Sequence, residues 1–122
     1  MKKHRVTPLE SMELEFLDRT LIFTFDMKAI AKMQNEFGAL EDVAKKYSEF
    51  ELVAMLLYAG IKDEEFTLDE AKVIITSSAE VLSDTLSLTM DSIMQLAGEK
   101  NEKKLLEEIE RAVERAVAKV RA

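Results

Sequence analysis

Residues 23–38, FTFDMKAIAKMQNEFG, change their hydrophobic period at one residue, Asp26. Before it, apolar and polar residues alternate over 20–25, which is typical of a strand with one buried face. After it, apolar residues recur three or four positions apart, which predicts an amphipathic helix over 27–37 that ends at Gly38. The Asp26 carboxylate stands where it can accept hydrogen bonds from the first N–H groups of that helix. The sequence therefore predicts a strand that runs directly into a helix.

A second alternating run, MELEF at residues 12–16, precedes this strand. Two short alternating runs joined by a three-residue link, LDR at 17–19, predict a β-hairpin. The link lacks the glycine that usually supplies a positive φ in such turns. Because an isolated hairpin is marginally stable, we expect its apolar face to lie on helices or its open edge to join a neighbouring chain.

Capping boxes, in which glutamate follows a serine or threonine by three residues, predict the starts of three later helices. They are Ser48 with Glu51, Thr67 with Glu70, and Ser77 with Glu80. Before the first box, ALEDVAKK predicts a short helix. The helix over 49–61 is apolar almost all round, which places it at the centre of the core, with Leu56 and Leu57 fully inside. Apolar spacing continues through the third box, so a helix break at 76–80 and a single bent helix both fit the pattern.

Composition shifts after Gly98 toward Glu, Lys, Arg, Ala, Val and Leu. Apolar residues there follow spacings of three and four, which predicts an amphipathic C-terminal helix. Such a helix would pack on its own domain or on a second copy of the chain. The candidates for contacts in a homo-oligomer are Leu106, Ile109, Val113 and Val120.

The predicted fold class is α+β, mostly α: an N-terminal β-hairpin followed by five or six helices. The 122 residues suit one ordinary domain. Residues 1–11 are expected to form a flexible basic tail, 12–98 the hairpin and helical domain, and 99–122 the C-terminal amphipathic helix.

The charge distribution disfavours nucleic acid and membranes as partners. The net charge is −7, and residues 26–98 hold six basic and fourteen acidic side chains. Binding to a phosphate backbone depends largely on Lys and Arg, so an acidic body opposes it. The longest apolar run, LVAMLLYAGI at 52–61, has ten residues, whereas a bilayer requires about 20. The chain has no cysteine, which fits a reducing compartment such as the cytoplasm.

The sequence offers no catalytic set, so an enzyme is not expected. His4 is the single histidine and lies in the predicted tail, which leaves no Ser-His-acid arrangement. The glycines stand alone at 38, 60 and 98, so no phosphate-binding loop is formed. No cofactor is expected.

The acidic stretch DEEFTLDE, residues 63–70, resembles half of a calcium loop. Its alternating oxygen-bearing side chains fit the first ligand positions of an EF-hand. However, Leu68 stands where that loop needs glycine, and Ile74 stands where it needs glutamate. We therefore expect a solvated loop and no metal site.

Two stretches resemble the tail assembly chaperones of long-tailed bacteriophages, prophages and gene transfer agents. LIFTFDMKAIAKMQNEFG is similar to the family's apolar strand, Asp or Asn helix start, amphipathic helix and terminal glycine. VAMLLYAGIKDEEFTLDEA is similar to its leucine-rich central helix, acidic loop and Thr-Leu-Asp/Glu-Glu helix start. The likeness covers about residues 12–97.

The resemblance implies a protein of the bacterial host cytoplasm that binds the tape measure protein and assists assembly of the tail tube from its subunits. Met90, Ile93 and Met94 are the candidate partner-binding residues, since methionines provide an adaptable apolar surface; their spacing equally suits the domain core. The alternative hypothesis is a small helical adaptor or antitoxin-like regulatory module with one folded partner. A coating chaperone should form oligomers, whereas an adaptor should be a monomer or dimer.

Overall fold

The computed structural model of the chain describes residues 1–96, apart from the side chains of residues 40 and 41. This part is mostly helical and carries an N-terminal antiparallel hairpin, so the predicted fold class is confirmed. Its elements are β1 (Met12–Phe16), β2 (Arg19–Phe23), α1 (Met27–Phe37), α2 (Leu40–Lys46), α3 (Glu49–Gly60), α4 (Leu68–Ser77) and α5 (Ala79–Leu96). The predicted C-terminal helix over 99–122 lies outside the described residues.

The hairpin turn is shorter than the sequence predicts. Phe16 pairs with Arg19, so the link contains two residues, Leu17 and Asp18, and not the three of LDR. Both have positive φ, 48° and 63°, which is the backbone that matches the twist of a two-residue hairpin. The predicted link was one residue too long because Arg19 was placed outside the alternating run over 20–25, whereas it is the first residue of β2 and pairs with Phe16.

The predicted strand before α1 and the helix start at Asp26 are confirmed, but β2 ends at Phe23, two residues earlier than the predicted strand over 20–25. Phe23 and Phe25 are fully buried on one side of the chain, with ring centroids 6.4 Å apart. The Asp26 carboxylate accepts a hydrogen bond from the N–H of Ala29 at 3.0 Å and so caps α1. Gly38 ends the helix with a φ of 95°, a conformation that glycine adopts without steric cost.

Helix α3 lies at the centre of the core, in contact with β2 and with the four other helices of residues 1–96. Leu56 and Leu57 are fully buried, as predicted. The Ser48 hydroxyl caps the helix by accepting a hydrogen bond from the N–H of Glu51. Burial is not complete along this apolar helix, since Phe50 lies in its first turn and is 52% exposed.

A break separates α4 from α5. Helix α4 begins with the predicted box, in which Thr67 and Glu70 each accept a hydrogen bond from the other's backbone N–H. The predicted box of Ser77 with Glu80 is wrong by one residue. Ser77 still lies within α4, and the extended residue Ser78 accepts from the N–H of Val81 at 3.2 Å. Residues 76–80 therefore contain a helix break and not a bend.

Candidate interaction surface

The three predicted partner-binding residues do not share one environment. Ile93 is fully buried in the core, and Met90 is partly buried against it. Met94 is 63% exposed. The three residues therefore do not form one exposed face, because α5 packs against both α3 and α4 and so covers part of the stripe; their role in partner binding stays a prediction. Met94 is the member that a partner can reach in this fold.

The residues predicted for self-association lie outside the described part of the chain. They are Leu106, Ile109, Val113 and Val120. Their role stays a prediction.

Strand β1 presents an open edge. Within residues 1–96 it pairs with β2 alone. The turn makes Phe16 and Arg19 a hydrogen-bonded pair, and such pairs alternate along an antiparallel ladder. The backbone N–H and C=O groups of Glu13 and Glu15 therefore point away from β2.

The opposite edge of β2 supports this assignment of backbone directions. By the same alternation, the backbone groups of Thr20, Ile22 and Thr24 point away from β1. The N–H of Thr24 does donate to the C=O of Gly60 at 3.0 Å, where the chain leaving α3 forms an isolated bridge with the end of β2. Thus β2 is partly covered at its far edge, whereas the edge of β1 that faces away from β2 has no strand beside it among the described residues.

A groove of about 340 Å³ lies between the start of β1 and helix α5. Its apolar lining comes from Met12 and Leu88, and both are partly buried against the core. Carboxylates of Glu10, Asp84 and Asp91 also line it, and no basic side chain of the described residues does. The groove therefore favours a ligand that combines apolar and positively charged side chains.

Arg19 organises the acidic stretch that resembles a calcium loop. Its guanidinium donates to the carboxylates of Glu70 at 2.6 Å and Asp63 at 3.2 Å, and lies 6.0 Å from the centre of the Phe66 ring. A hydrogen bond from the N–H of Glu65, and then the Arg19 contact, lower the pKa of Asp63. These carboxylates are thus occupied by a structural contact between the hairpin and α4, which the sequence pattern did not indicate.

Asp26 joins two parts of the fold. Besides capping α1, it accepts a hydrogen bond from the Lys62 ammonium at 2.9 Å. Burial raises the pKa of the Asp26 carboxyl, but the hydrogen bonds from Lys62 and from the Ala29 N–H outweigh it, so the pKa is lowered. The cap and the ion pair join the start of α1 to Lys62, two residues after the end of α3, and so give Asp26 a structural role.

The described residues contain no group of three or more His, Cys, Asp or Glu side chains arranged to hold a metal ion. Likewise, no helix within residues 1–96 is both long and apolar enough to cross a bilayer.

The chain matches no known family, no characterised protein and no solved structure in comparisons with each. Among the described residues, the open β1 edge with its acidic groove and the exposed Met94 are the surfaces available to a partner.

Proposed function

We propose that this chain is a non-enzymatic tail assembly chaperone, which binds the tape measure protein of a long-tailed phage or prophage and assists assembly of the tail tube. It would act in the bacterial host cytoplasm without metal, cofactor, nucleic acid or membrane. Several copies would coat one long helical partner and later give way to tube subunits.

One observation carries the proposal: both stretches that resemble the chaperone family fold as the resemblance implies. The first forms β2 and α1, joined at the Asp26 cap and closed by Gly38. The second forms the buried helix α3, the acidic loop and the capped start of α4 at Thr67. These signatures act in packing and capping, which supports a binding protein and gives no support to a catalytic one.

The accessible part of the predicted binding face is Met94 on α5. Its flexible thioether suits repeated, weak contacts with the apolar stripes of a long helix. We therefore assign Met94 to the contact with the tape measure protein, with the buried Ile93 holding α5 in place behind it.

Co-expression with the tape measure protein encoded beside this chain tests the proposal. The tape measure protein should become soluble and co-purify with several copies of the chain. Met94→Ser should weaken co-purification, whereas Val73→Ser, at another exposed apolar position of a helix, should leave it unchanged. Equal solubility with and without the chain, together with no co-purification, would instead favour the adaptor or antitoxin-like hypothesis.

A further inference from the structure

The open edge of β1 has backbone groups ready for another strand. The N–H and C=O groups of Glu13 and Glu15 point outward and meet no strand among residues 1–96. Such an edge is a template for pairing with an extended segment.

Charge disfavours the simplest occupant, which is β1 of a second copy. In an antiparallel pair of two β1 strands centred on Leu14, Glu13 of each strand would lie opposite Glu15 of the other. Like charges placed directly opposite each other destabilise a ladder. The exposed carboxylates of this strand thus disfavour direct edge-to-edge pairing and favour a basic segment.

A basic segment of the right length is present at the N-terminus of the chain. Residues 1–6, MKKHRV, are exposed throughout and form no regular secondary structure. Lys3 and Arg5 are two positions apart, so an extended backbone presents both on the same face. Val6, the one branched apolar residue of the segment, is 84% exposed.

We propose that residues 1–6 of one copy add to the β1 edge of a second copy as an antiparallel strand, and that the exchange is reciprocal. In the register that sets Lys3 opposite Glu15, Arg5 lies opposite Glu13. Both pairs then join opposite charges and use the outward backbone groups of the two glutamates. This self-association is independent of the proposed function.

The same register fits the apolar residues and the end of the added strand. Val6 lies opposite Met12, whose side chain lines the groove beside Leu88. Val6 would therefore cover apolar surface that is partly exposed in one copy. Two residues later comes Pro8, which lacks the N–H that a longer ladder would need and so ends the strand.

The segment that follows residues 1–6, here called the arm, favours exchange between copies over folding back within one chain. The C=O of Thr7 accepts a hydrogen bond from the side-chain amide of Gln95 at 2.6 Å. That contact holds the start of the link against the end of α5. Folding back onto its own β1 would require residues 7–11 to reverse direction, whereas pairing with a second copy requires no reversal. Reciprocal exchange gives a closed, two-fold symmetric dimer.

Charge reversal tests the proposal with the full-length chain. Two variants are needed, Lys3→Glu with Arg5→Glu (the arm variant) and Glu13→Lys with Glu15→Lys (the edge variant). Sedimentation equilibrium should show association of the wild-type chain, weakened by salt, and a dissociation constant about tenfold or more higher for each variant alone. All four side chains are exposed, so circular dichroism should show intact folds. Lys28→Glu with Lys46→Glu changes the net charge as the arm variant does, and should associate like the wild type.

Mixing the two variants gives the deciding measurement. The arm variant has an acidic arm and an acidic edge, whereas the edge variant has a basic arm and a basic edge. Equal amounts should restore association as a mixed dimer, because each arm then meets an edge of opposite charge. A monomeric wild-type chain, association that neither variant weakens, or a mixture that fails to recover would overturn the proposal. If the edge variant fails to fold, the arm variant must still lose association against its net-charge control, and an unchanged dissociation constant would refute the contact.

Discussion

The ring of Phe23 lies directly against the backbone of Gly60. A Cβ added at position 60 would lie 2.4 Å from a carbon of that ring, and the two ring carbons nearest to it are both within 2.5 Å. The same two segments are joined by the hydrogen bond from Thr24 to Gly60. Absence of a side chain at the last residue of α3 is therefore what allows the hairpin to lie on the central helix.

Gly60→Ala should accordingly destabilise the protein by about 1–3 kcal/mol, since overpacking a buried contact forces rings and backbone to shift. Urea unfolding at equilibrium measures the loss. Phe23→Leu is the matched second change, because it removes the ring that the new methyl group would strike. The double variant should lose less than the sum of the two single losses. Additive losses would show that the ring and position 60 do not interact.

Leu56 tests the central position of α3. The side chain is fully buried, so Leu56→Ala should cost about 2–5 kcal/mol through lost burial and the resulting cavity. Val73→Ala, at a half-exposed site of α4, should change stability by only about 0.5 kcal/mol. A loss below about 1 kcal/mol at Leu56 would contradict its place in a close-packed core.

The local elements of this fold were predictable because short-range rules determine them. Asp26, Ser48 and Thr67 cap their helices through hydrogen bonds to backbone N–H groups three residues away. Such contacts depend on sequence spacing alone. The alternating pattern likewise placed Phe23 and Phe25 on the buried side of the chain before α1.

Contacts between distant segments were not predictable in the same way. Arg19 was assigned to the turn, yet its guanidinium binds carboxylates 44 and 51 residues further along the chain. The periodicity of α5 showed that Ile93 and Met94 lie near one face. It could not show where the neighbouring helices cover that face, and this boundary separates the buried residue from the exposed one.

The lowered pKa of Asp26 predicts a pH-dependent contribution to stability. Its folded-state pKa lies below the ordinary value of 3.8, so the charge stabilises the fold above that pH and its contribution is lost as pH falls through the folded pKa. Asp26→Asn keeps a capping oxygen but removes the charge, and should cost about 0.3–1 kcal/mol at neutral pH. The difference in the free energy of unfolding between this variant and the wild type should disappear as pH falls through the folded pKa of Asp26, as measured by urea unfolding at each pH. A difference of constant size across that range would contradict the electrostatic role.

The pKa of Asp63 provides a second test, because two separable contacts lower it. The N–H of Glu65 is the larger cause of its lowered pKa, and the Arg19 guanidinium is the next. Arg19→Met should therefore raise the pKa of Asp63 only part of the way to its ordinary value, because the backbone bond stays. Carbon-detected NMR titration measures this directly. Glu70→Gln leaves both Asp63 contacts in place and should shift the pKa much less. A full return to the ordinary value would assign the shift to Arg19 alone.

The hairpin turn should be open to stabilisation, because Leu17 is poorly suited to its backbone and Asp18 is less suited than glycine. Leu17 and Asp18 both have positive φ, a conformation that costs most L-residues about 1–2 kcal/mol, that aspartate tolerates better, and that Asn-Gly adopts readily. Leu17→Asn with Asp18→Gly should therefore raise the free energy of unfolding by about 1 kcal/mol, measured by urea titration. The Leu17 side chain is 76% exposed, so its removal sacrifices little burial. Leu17→Ala is the control, since it removes that side chain but keeps the Cβ that disfavours positive φ, and it should bring no comparable gain. A destabilised double variant would show that Leu17 stabilises the fold through contacts of its own.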